Sequence, residues 1–298
     1  MKKSIVSKFI LFVLLTVLVI SGCAPAPTPV PPTNTLVPTA TQPPPTATPK
    51  PESAFYALSR SGVVTRTSLT GATKNILEGV SGYGLQVLDY NLYLCNPEHS
   101  KILVYNLDGN PLREVTIPSD IHFLEFTALP DGGFALLSNY DDKVYFIDSK
   151  GEILSTANIL DNRDDHGQNL SGIVAGNRLI LSEDGKKHIL AFDLSTHEKS
   201  TFKDLKGLPG AWLGAITYSD NIFYLTTSDT IYKFTDTSDA TRIAKLPKGN
   251  ITGIVILDGF AFVSVNITGE IYKVNITDGT ISLFATGLDF PNNLVFSK

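Results

Sequence analysis

A short pattern of apolar and polar positions recurs six times along the chain. The six segments begin at positions 63, 101, 143, 188, 230 and 270, so successive starts lie 38 to 45 residues apart. A period of this length is typical of propeller blades or of the repeats of a solenoid. The segments are VVTRTSL (Val63–Leu69), KILVYNL (Lys101–Leu107), KVYFIDS (Lys143–Ser149), HILAFDL (His188–Leu194), TIYKFTD (Thr230–Asp236) and EIYKVNI (Glu270–Ile276).

Each repeat predicts four β-strands separated by Gly, Asn and Asp turn signals. In the fifth unit, the segment FAFVSV (Phe260–Val265) is apolar on both sides of the predicted strand. Blades stacked radially around an axis cover both faces of such a strand, whereas an isolated meander leaves one face in water. The strands predicted in this unit are Ile251–Leu257, Phe260–Val265, Glu270–Ile276 and Ile281–Thr286.

The two ends of the repeat region complement each other. The C-terminal segment PNNLVFSK (Pro291–Lys298) predicts an innermost first strand with no second strand behind it. The segment AFYALS (Ala54–Ser59) predicts a second strand with no first strand before it. We therefore expect the C-terminal strand to join the N-terminal blade and close the ring, which leaves no open sheet edge. The predicted fold is an all-β, six-bladed β-propeller of four-stranded antiparallel blades over residues 53–298.

Residues 1–22 have the pattern of a lipoprotein signal peptide. Lys2, Lys3 and Lys8 flank a run of twelve mostly apolar residues, FILFVLLTVLVI (Phe9–Ile20). That length is typical of a signal-peptide core and falls short of the roughly 20 residues that span a bilayer. The following ISGC resembles the bacterial lipobox, in which the Cys is lipidated. We expect a lipid on Cys23 to anchor the protein to the membrane on its extracytoplasmic side, with ordinary cleavage and free secretion as the alternative.

Residues 23–52 contain the lipidated Cys and a segment rich in Pro and Thr without apolar periodicity. Such a composition cannot form a core, and it favours an extended polyproline II conformation. At about 3.1 Å per residue, some 30 residues reach up to roughly 90 Å. We expect a disordered stalk that holds the propeller away from the membrane. Whether its Thr residues carry sugars is left open by the sequence.

The net charge and the cysteine content of residues 53–298 argue against a nucleic-acid-binding protein and against a fold held by disulfides. Removing the four basic residues and Glu52 that precede this region leaves 20 basic and 28 acidic residues, a net charge near −8. A domain of this charge repels phosphate backbones, so we expect no nucleic-acid partner. Besides Cys23 the chain has one cysteine, Cys95, which excludes a disulfide framework and predicts a buried structural thiol. We expect a monomer.

Two segments of the chain resemble a known superfamily. They are IYKVNITDG (Ile271–Gly279) and GLDFPNNL (Gly287–Leu294), which are similar to motifs of the NHL and SMP-30/gluconolactonase-like six-bladed propellers. The resemblance covers about residues 53–298 and rests on fold motifs. It implies a fold whose members include lactonases, lyases, strictosidine-synthase-like proteins and purely binding propellers. The fold by itself does not assign one of these activities.

The SMP-30-like lactonases also have a divalent cation in the channel, held by an early Glu, by Asn residues and by the Asp of a PDG phrase. Asn292 matches one Asn of that pattern, although Asn293 replaces the Gly that follows it, and the early EGP phrase is absent. The PDG of this chain, at 130–132, falls in a predicted turn between first and second strands, away from the channel mouth. Glu125 and Asn292 are therefore the metal candidates, and the residues predicted at their level are neutral: Gly84, Ser171, Gly214 and Thr252.

Other catalytic patterns do not occur in the sequence. The five His residues lack the spacing of zinc ligands, and there is no G-x-S-x-G, phosphate loop or C-x-x-C. The acidic loop at 161–167 resembles a calcium loop, but Arg163 stands at a ligand position. We assign no catalytic residue and expect a binding protein without a cofactor, with a channel cation as the alternative.

Propeller ligands bind at one mouth of the central channel, formed by loops that join fourth to first strands and second to third strands. Aromatic and amide residues in these loops suit sugars or peptides. We expect recognition of an extracellular glycan, peptide or protein, with an SMP-30-like metal-dependent lactonase, hydrolase or lyase as the alternative. For Trp212, the alternative to a binding role is a structural one, with its side chain packed in the core between two blades. The predicted ligand-binding residues are Tyr83, His122, Gln168, Asn169, Trp212, Asn250 and Asn292, with Asp120, His166 and Phe290 in the same loops.

Overall fold

Six four-stranded antiparallel sheets make up the folded part of the chain. The computed structural model describes residues 52–80, 82–96, 98, 100–123, 125–138, 140–159, 170–183, 186–209 and 212–298. These described residues contain 24 strands and no α-helix. The strands are β1 (Ala54–Leu58), β2 (Val64–Ser68), β3 (Thr73–Leu77), β4 (Leu85–Leu88), β5 (Asn91–Asn96), β6 (Lys101–Asn106), β7 (Pro111–Thr116), β8 (Glu125–Ala128), β9 (Phe134–Ser138), β10 (Lys143–Ile147), β11 (Ile153–Asn158), β12 (Leu170–Ala175), β13 (Arg178–Glu183), β14 (His188–Asp193), β15 (Lys199–Asp204), β16 (Leu213–Ser219), β17 (Ile222–Thr227), β18 (Thr230–Phe234), β19 (Thr241–Lys245), β20 (Ile251–Leu257), β21 (Phe260–Val265), β22 (Glu270–Asn275), β23 (Ile281–Ala285) and β24 (Val295–Ser297).

The strands are grouped into six blades in the order that the sequence predicts. Blade 1 has the order β24-β1-β2-β3, and blades 2 to 6 each take four consecutive strands, from β4–β7 to β20–β23. The innermost strands contact one another in the cyclic order β24, β4, β8, β12, β16, β20 and back to β24. The predicted six-bladed β-propeller is therefore confirmed.

Ring closure occurs where the two ends of the repeat region meet. β24 pairs antiparallel with β1, with Phe296 opposite Phe55. The regular strand begins at Val295, later than predicted, because the residues before it pair irregularly. Pro291 has no N–H to give to a ladder, and the side chain of Asn293 accepts the backbone N–H of Leu58 at 3.1 Å. The predicted closure is confirmed, with a side chain in place of part of the ladder.

Hydrophobic clusters fill the spaces between adjacent blades. The second strand of each blade supplies side chains to the clusters on both of its faces. In blade 1, Tyr56 packs in one cluster with Leu85 of blade 2, whereas Phe55 packs in another with Phe262 of blade 6. Each fully buried side chain of this kind contributes about 1.5–3 kcal/mol. The blades stabilise one another, as the two-sided apolar strands predict.

The N-terminal predictions fall on residues outside the described part of the chain. These are the signal peptide at 1–22, Cys23, and the stalk up to residue 51. Within the part that is described, no helix has the length and the apolar character that a membrane span needs.

Candidate functional site

The innermost strands enclose a central channel with a volume of about 760 Å³. All six blades contribute residues to its wall. Small residues bring neighbouring inner strands close together on the wall. A Cβ added to Gly253 would lie 2.3 Å from the backbone nitrogen of Leu294, so no other residue fits there without a shift of the closing strand.

Four of the seven predicted binding residues line this channel. Each lies just before an innermost strand, which places it at the mouth: Trp212 and Asn250 directly precede β16 and β20, and Tyr83 and Asn292 lie a few residues before β4 and β24. Tyr83 is 43% exposed, whereas Trp212, Asn250 and Asn292 are half-buried. The mouth thus combines two aromatic rings with two side-chain amides.

The remaining predicted residues lie elsewhere or outside the described residues. His122 is exposed and is not part of the channel wall. Its ring meets the ring of Tyr140 edge-on, with 5.1 Å between the centroids, and Tyr140 is 71% exposed. Tyr140 is not among the predicted residues, although it lies between β9 and β10, in a loop that joins a second strand to a third strand. The residues outside the described part are His166, Gln168 and Asn169.

Of the two polar atoms in the Asn292 side chain, one has a hydrogen-bond partner among the described residues and the other has none. Its Oδ1 accepts a hydrogen bond of 3.2 Å from the amide of Asn266, which also donates to the carbonyl of Pro291 at 3.0 Å. Its Nδ2 is buried and has no hydrogen-bond partner within the described residues. A buried donor left unpaired costs about 1–3 kcal/mol. Asn292 also lines the channel, so a turn of its side chain that exposed Nδ2 would let a hydrogen-bond acceptor on a ligand recover this energy.

Among the described residues that line the channel, Glu125 is the one with a carboxyl side chain. It is the first residue of β8 and pairs with Leu137. Burial raises the pKa of its carboxyl to about 8, while the backbone N–H of Phe126 acts in the opposite direction by favouring the ionised form. Burial, followed by the nearby charge of Glu125, holds the pKa of the buried Cys95 thiol well above its usual range. Glu125 is thus a group whose charge is easily changed near neutral pH.

The residues around Glu125 do not fit the cation site that the resemblance implies. The described residues contain no group of three His, Cys, Asp or Glu side chains able to hold a metal ion. The hydroxyl of Ser171 accepts the N–H of Ile216 at 3.3 Å, and that of Thr252 donates to the carbonyl of Pro291 at 2.6 Å. One carboxylate on a wall where these two hydroxyls already have hydrogen-bond partners is a poor set of ligands for a hard divalent ion.

The two other acidic motifs do not complete that site. Asp131 of the PDG phrase lies between β8 and β9, as predicted, and accepts the backbone N–H of Gly133 at 2.9 Å. Its carboxylate therefore caps its own turn. The acidic loop at 161–167 lies outside the described residues.

Comparison with solved structures identifies other proteins with this fold. A chain of a nidogen/laminin complex matches with a TM-score of 0.66 at 9% identity, covering 83% of this chain and 98% of its own. A catalytically inactive variant of virginiamycin B lyase from Staphylococcus aureus, crystallised with quinupristin, matches with a TM-score of 0.55 at 23% identity, covering 70% of this chain and 71% of its own. A protein of unknown function from Bacteroides caccae matches with a TM-score of 0.59 at 10% identity, covering 84% and 100%. At these identities the likeness shows the fold alone.

No protein-family model and no curated protein sequence matches the chain.

Proposed function

We propose that this chain is a lipid-anchored, extracytoplasmic propeller of the NHL and SMP-30/gluconolactonase-like type that binds an extracellular ligand at the mouth of its central channel. The ligand is a glycan, a peptide or a segment of a protein. The lipid on Cys23 and the Pro/Thr-rich stalk hold the propeller, as a monomer, outside the membrane. Neighbours of the same fold include a protein in a nidogen/laminin complex and a lyase with quinupristin, so such folds support both binding and catalysis.

The unpartnered Nδ2 of Asn292 on the channel wall is the observation that carries this proposal. The rings of Tyr83 and Trp212 belong to the same channel lining, and a turn of the Asn292 side chain would bring this donor to a ligand stacked on them. Stacking on such rings and hydrogen bonding to an amide are the contacts that bind sugars and extended peptides. The channel is large enough for a ligand of small-molecule size, since such sites measure about 300–1,000 Å³.

Glycan and peptide arrays probed with the full-length protein in detergent test the proposal. We expect the wild type to bind a defined subset of the array, and Trp212→Ala and Asn292→Ala to lose that signal. Leu112→Ala is the matched control, because Leu112 is 55% exposed on β7, away from the channel. Equal array binding by the wild type and both channel variants would refute a site at the channel mouth.

A second candidate function is hydrolase or lyase chemistry in the channel, and Glu125 is the observation that favours it. With a pKa of about 8, its carboxyl can give up or take a proton near neutral pH. Turnover of a panel of lactones that is lost in Glu125→Gln would support this candidate. A rise in melting temperature with calcium, zinc or manganese would indicate that a metal takes part, since a ligand at 100 times its Kd adds about 2.7 kcal/mol.

A further inference from the structure

The described lining of the channel has one ionisable carboxyl group and no basic side chain to pair with it. Among the described residues that line it, Glu125 is acidic and none is Lys, Arg or His. The other polar groups on the wall are amides, hydroxyls and the indole of Trp212. The described part of the wall therefore supplies no basic side chain that could neutralise this carboxylate, and a ligand could supply the positive charge.

The carboxylate of Glu125 packs against the buried Gly84. A Cβ added at Gly84 would lie 2.9 Å from Oε1 of Glu125, so any other residue at position 84 would crowd this carboxylate. Glu125 itself is half-buried rather than sealed in the core, and it borders the channel. An ion pair formed here would be shielded from bulk water, which strengthens it relative to an ion pair on the surface.

Two further features favour a positively charged ligand. The aromatic rings of Tyr83 and Trp212 line the same channel, and aromatic faces attract ammonium groups by about 0.5–2 kcal/mol. The region 53–298 has a net charge near −8, from 20 basic and 28 acidic residues after the residues before it are removed from the totals. A negative domain concentrates cations near its surface and repels anions.

We propose that the channel recognises a primary ammonium group on its ligand, with the carboxylate of Glu125 as the ion-pair partner. This inference rests on the proposed binding function and names the chemistry of the ligand. The ammonium group belongs either to an amino sugar or to the side chain of a lysine in a peptide. The net negative charge of residues 53–298 disfavours a carboxylated or phosphorylated ligand.

Isothermal titration calorimetry of the full-length protein in detergent at pH 8, where about half of the Glu125 carboxyl groups are ionised, tests the inference with matched pairs of probes. One pair is the glucosamine disaccharide and its fully N-acetylated counterpart. The other pair is a short lysine peptide and the same peptide with an acetylated side chain. Within each pair the two compounds differ in the charge of the amine, so their difference in affinity reports on that charge.

We expect one free amine to bind at least about tenfold more tightly than its acetylated counterpart, because a charge-assisted hydrogen bond contributes about 1.5–3 kcal/mol. The pair that shows the difference identifies the source of the amine. Glu125→Gln should abolish the difference, whereas Glu152→Gln, which removes an exposed carboxylate from the turn before β11, should keep it. A thermal melt of each variant confirms that it is folded.

Gly84→Ala provides a second variant that keeps every charge. Its added Cβ crowds Oε1 of Glu125, so it should weaken binding of the amine and leave the acetylated probe unchanged. Equal binding of amine and acetylated probes by the wild type, or no binding of either amine up to millimolar concentration, overturns the inference. Array binding of a neutral ligand that depends on Trp212 would in that case leave the proposed function standing, whereas the absence of any such ligand would remove both.

Discussion

The side-chain amide of Asn293 donates a hydrogen bond of 3.1 Å to the backbone carbonyl of Tyr83. The same side chain accepts the backbone N–H of Leu58 at 3.1 Å. Asn293 therefore joins the closing strand to blade 1 and to the loop that carries Tyr83 into the channel mouth. Asn293 stands where the motif that this chain resembles has Gly. Its side chain thus links ring closure to the candidate site through two hydrogen bonds.

Replacing Asn293 with Ala should destabilise the propeller by about 1–3 kcal/mol, because the backbone N–H of the buried Leu58 loses its partner and the carbonyl of the exposed Tyr83 loses a hydrogen bond. Equilibrium unfolding in urea measures the change. Asn110→Ala is the matched control, since Asn110 also makes a side-chain hydrogen bond, to Asn106, but is exposed in the turn before β7. Its effect should stay within about 0.5 kcal/mol. Equal stabilities of the two variants would show that Asn293 does not support closure.

Gly253→Ala tests how closely the inner strands approach one another. Its new Cβ would lie 2.3 Å from the nitrogen of Leu294 and 2.7 Å from the carbonyl carbon of Asn293, which are backbone atoms of the closing segment. We expect destabilisation of about 1–3 kcal/mol or more from overpacking. Gly207→Ala, at an exposed turn with open space around its Cβ, should unfold like the wild type. A wild-type melting temperature for Gly253→Ala would contradict this packing.

The fold could be predicted from the sequence because a repeat of about 40 residues shows the same strand pattern six times. The position of Glu125 along the channel could also be predicted, because each first strand can be aligned in the sequence on the second strand that follows it. The role of Asn293 could not, because its partner Leu58 is 235 residues away and only the closed ring brings them together. The burial of Glu125 likewise depends on packing between blades, which strand patterns do not specify.

Glu125 should make stability depend on pH. Its carboxyl has a pKa of about 8 in the folded protein, raised by burial, against 4.5 for an ordinary Glu. Below the lower value the group is protonated in both states and its contribution is fully present. Between the two values the unfolded chain alone ionises, so the free energy of unfolding falls by up to about 1.4 kcal/mol per pH unit.

The measurement is urea unfolding of the wild type and of Glu125→Gln from pH 5 to pH 9. Subtracting the two curves removes the contributions of other titrating groups. We expect the stability of the wild type relative to the variant to decrease as pH rises to about 8 and then to level off. A difference that is constant with pH would mean that Glu125 is ionised throughout and well hydrated.

Cys23→Ser tests the proposed anchor. Without the thiol no lipid can be attached, so the protein should either be released from membranes or accumulate as a precursor that keeps residues 1–22. Fractionation with immunoblotting and mass determination distinguish these products from the lipidated form. Cys95→Ser is the control for loss of a thiol, since Cys95 is buried in the propeller. A Cys23→Ser protein of mature size that stays in the membrane would exclude the lipoprotein assignment.

The emission of Trp212 tests the central claim most directly, because it is the only tryptophan in the chain and lines the channel mouth. The full-length protein is titrated with a ligand identified on the arrays while fluorescence and calorimetry are recorded together. Binding at the mouth predicts a saturable change in Trp212 emission, with the same Kd as the calorimetric curve and with protection from acrylamide quenching. Saturation by calorimetry without any change in the emission or quenching of Trp212 would contradict a ligand site at the channel mouth.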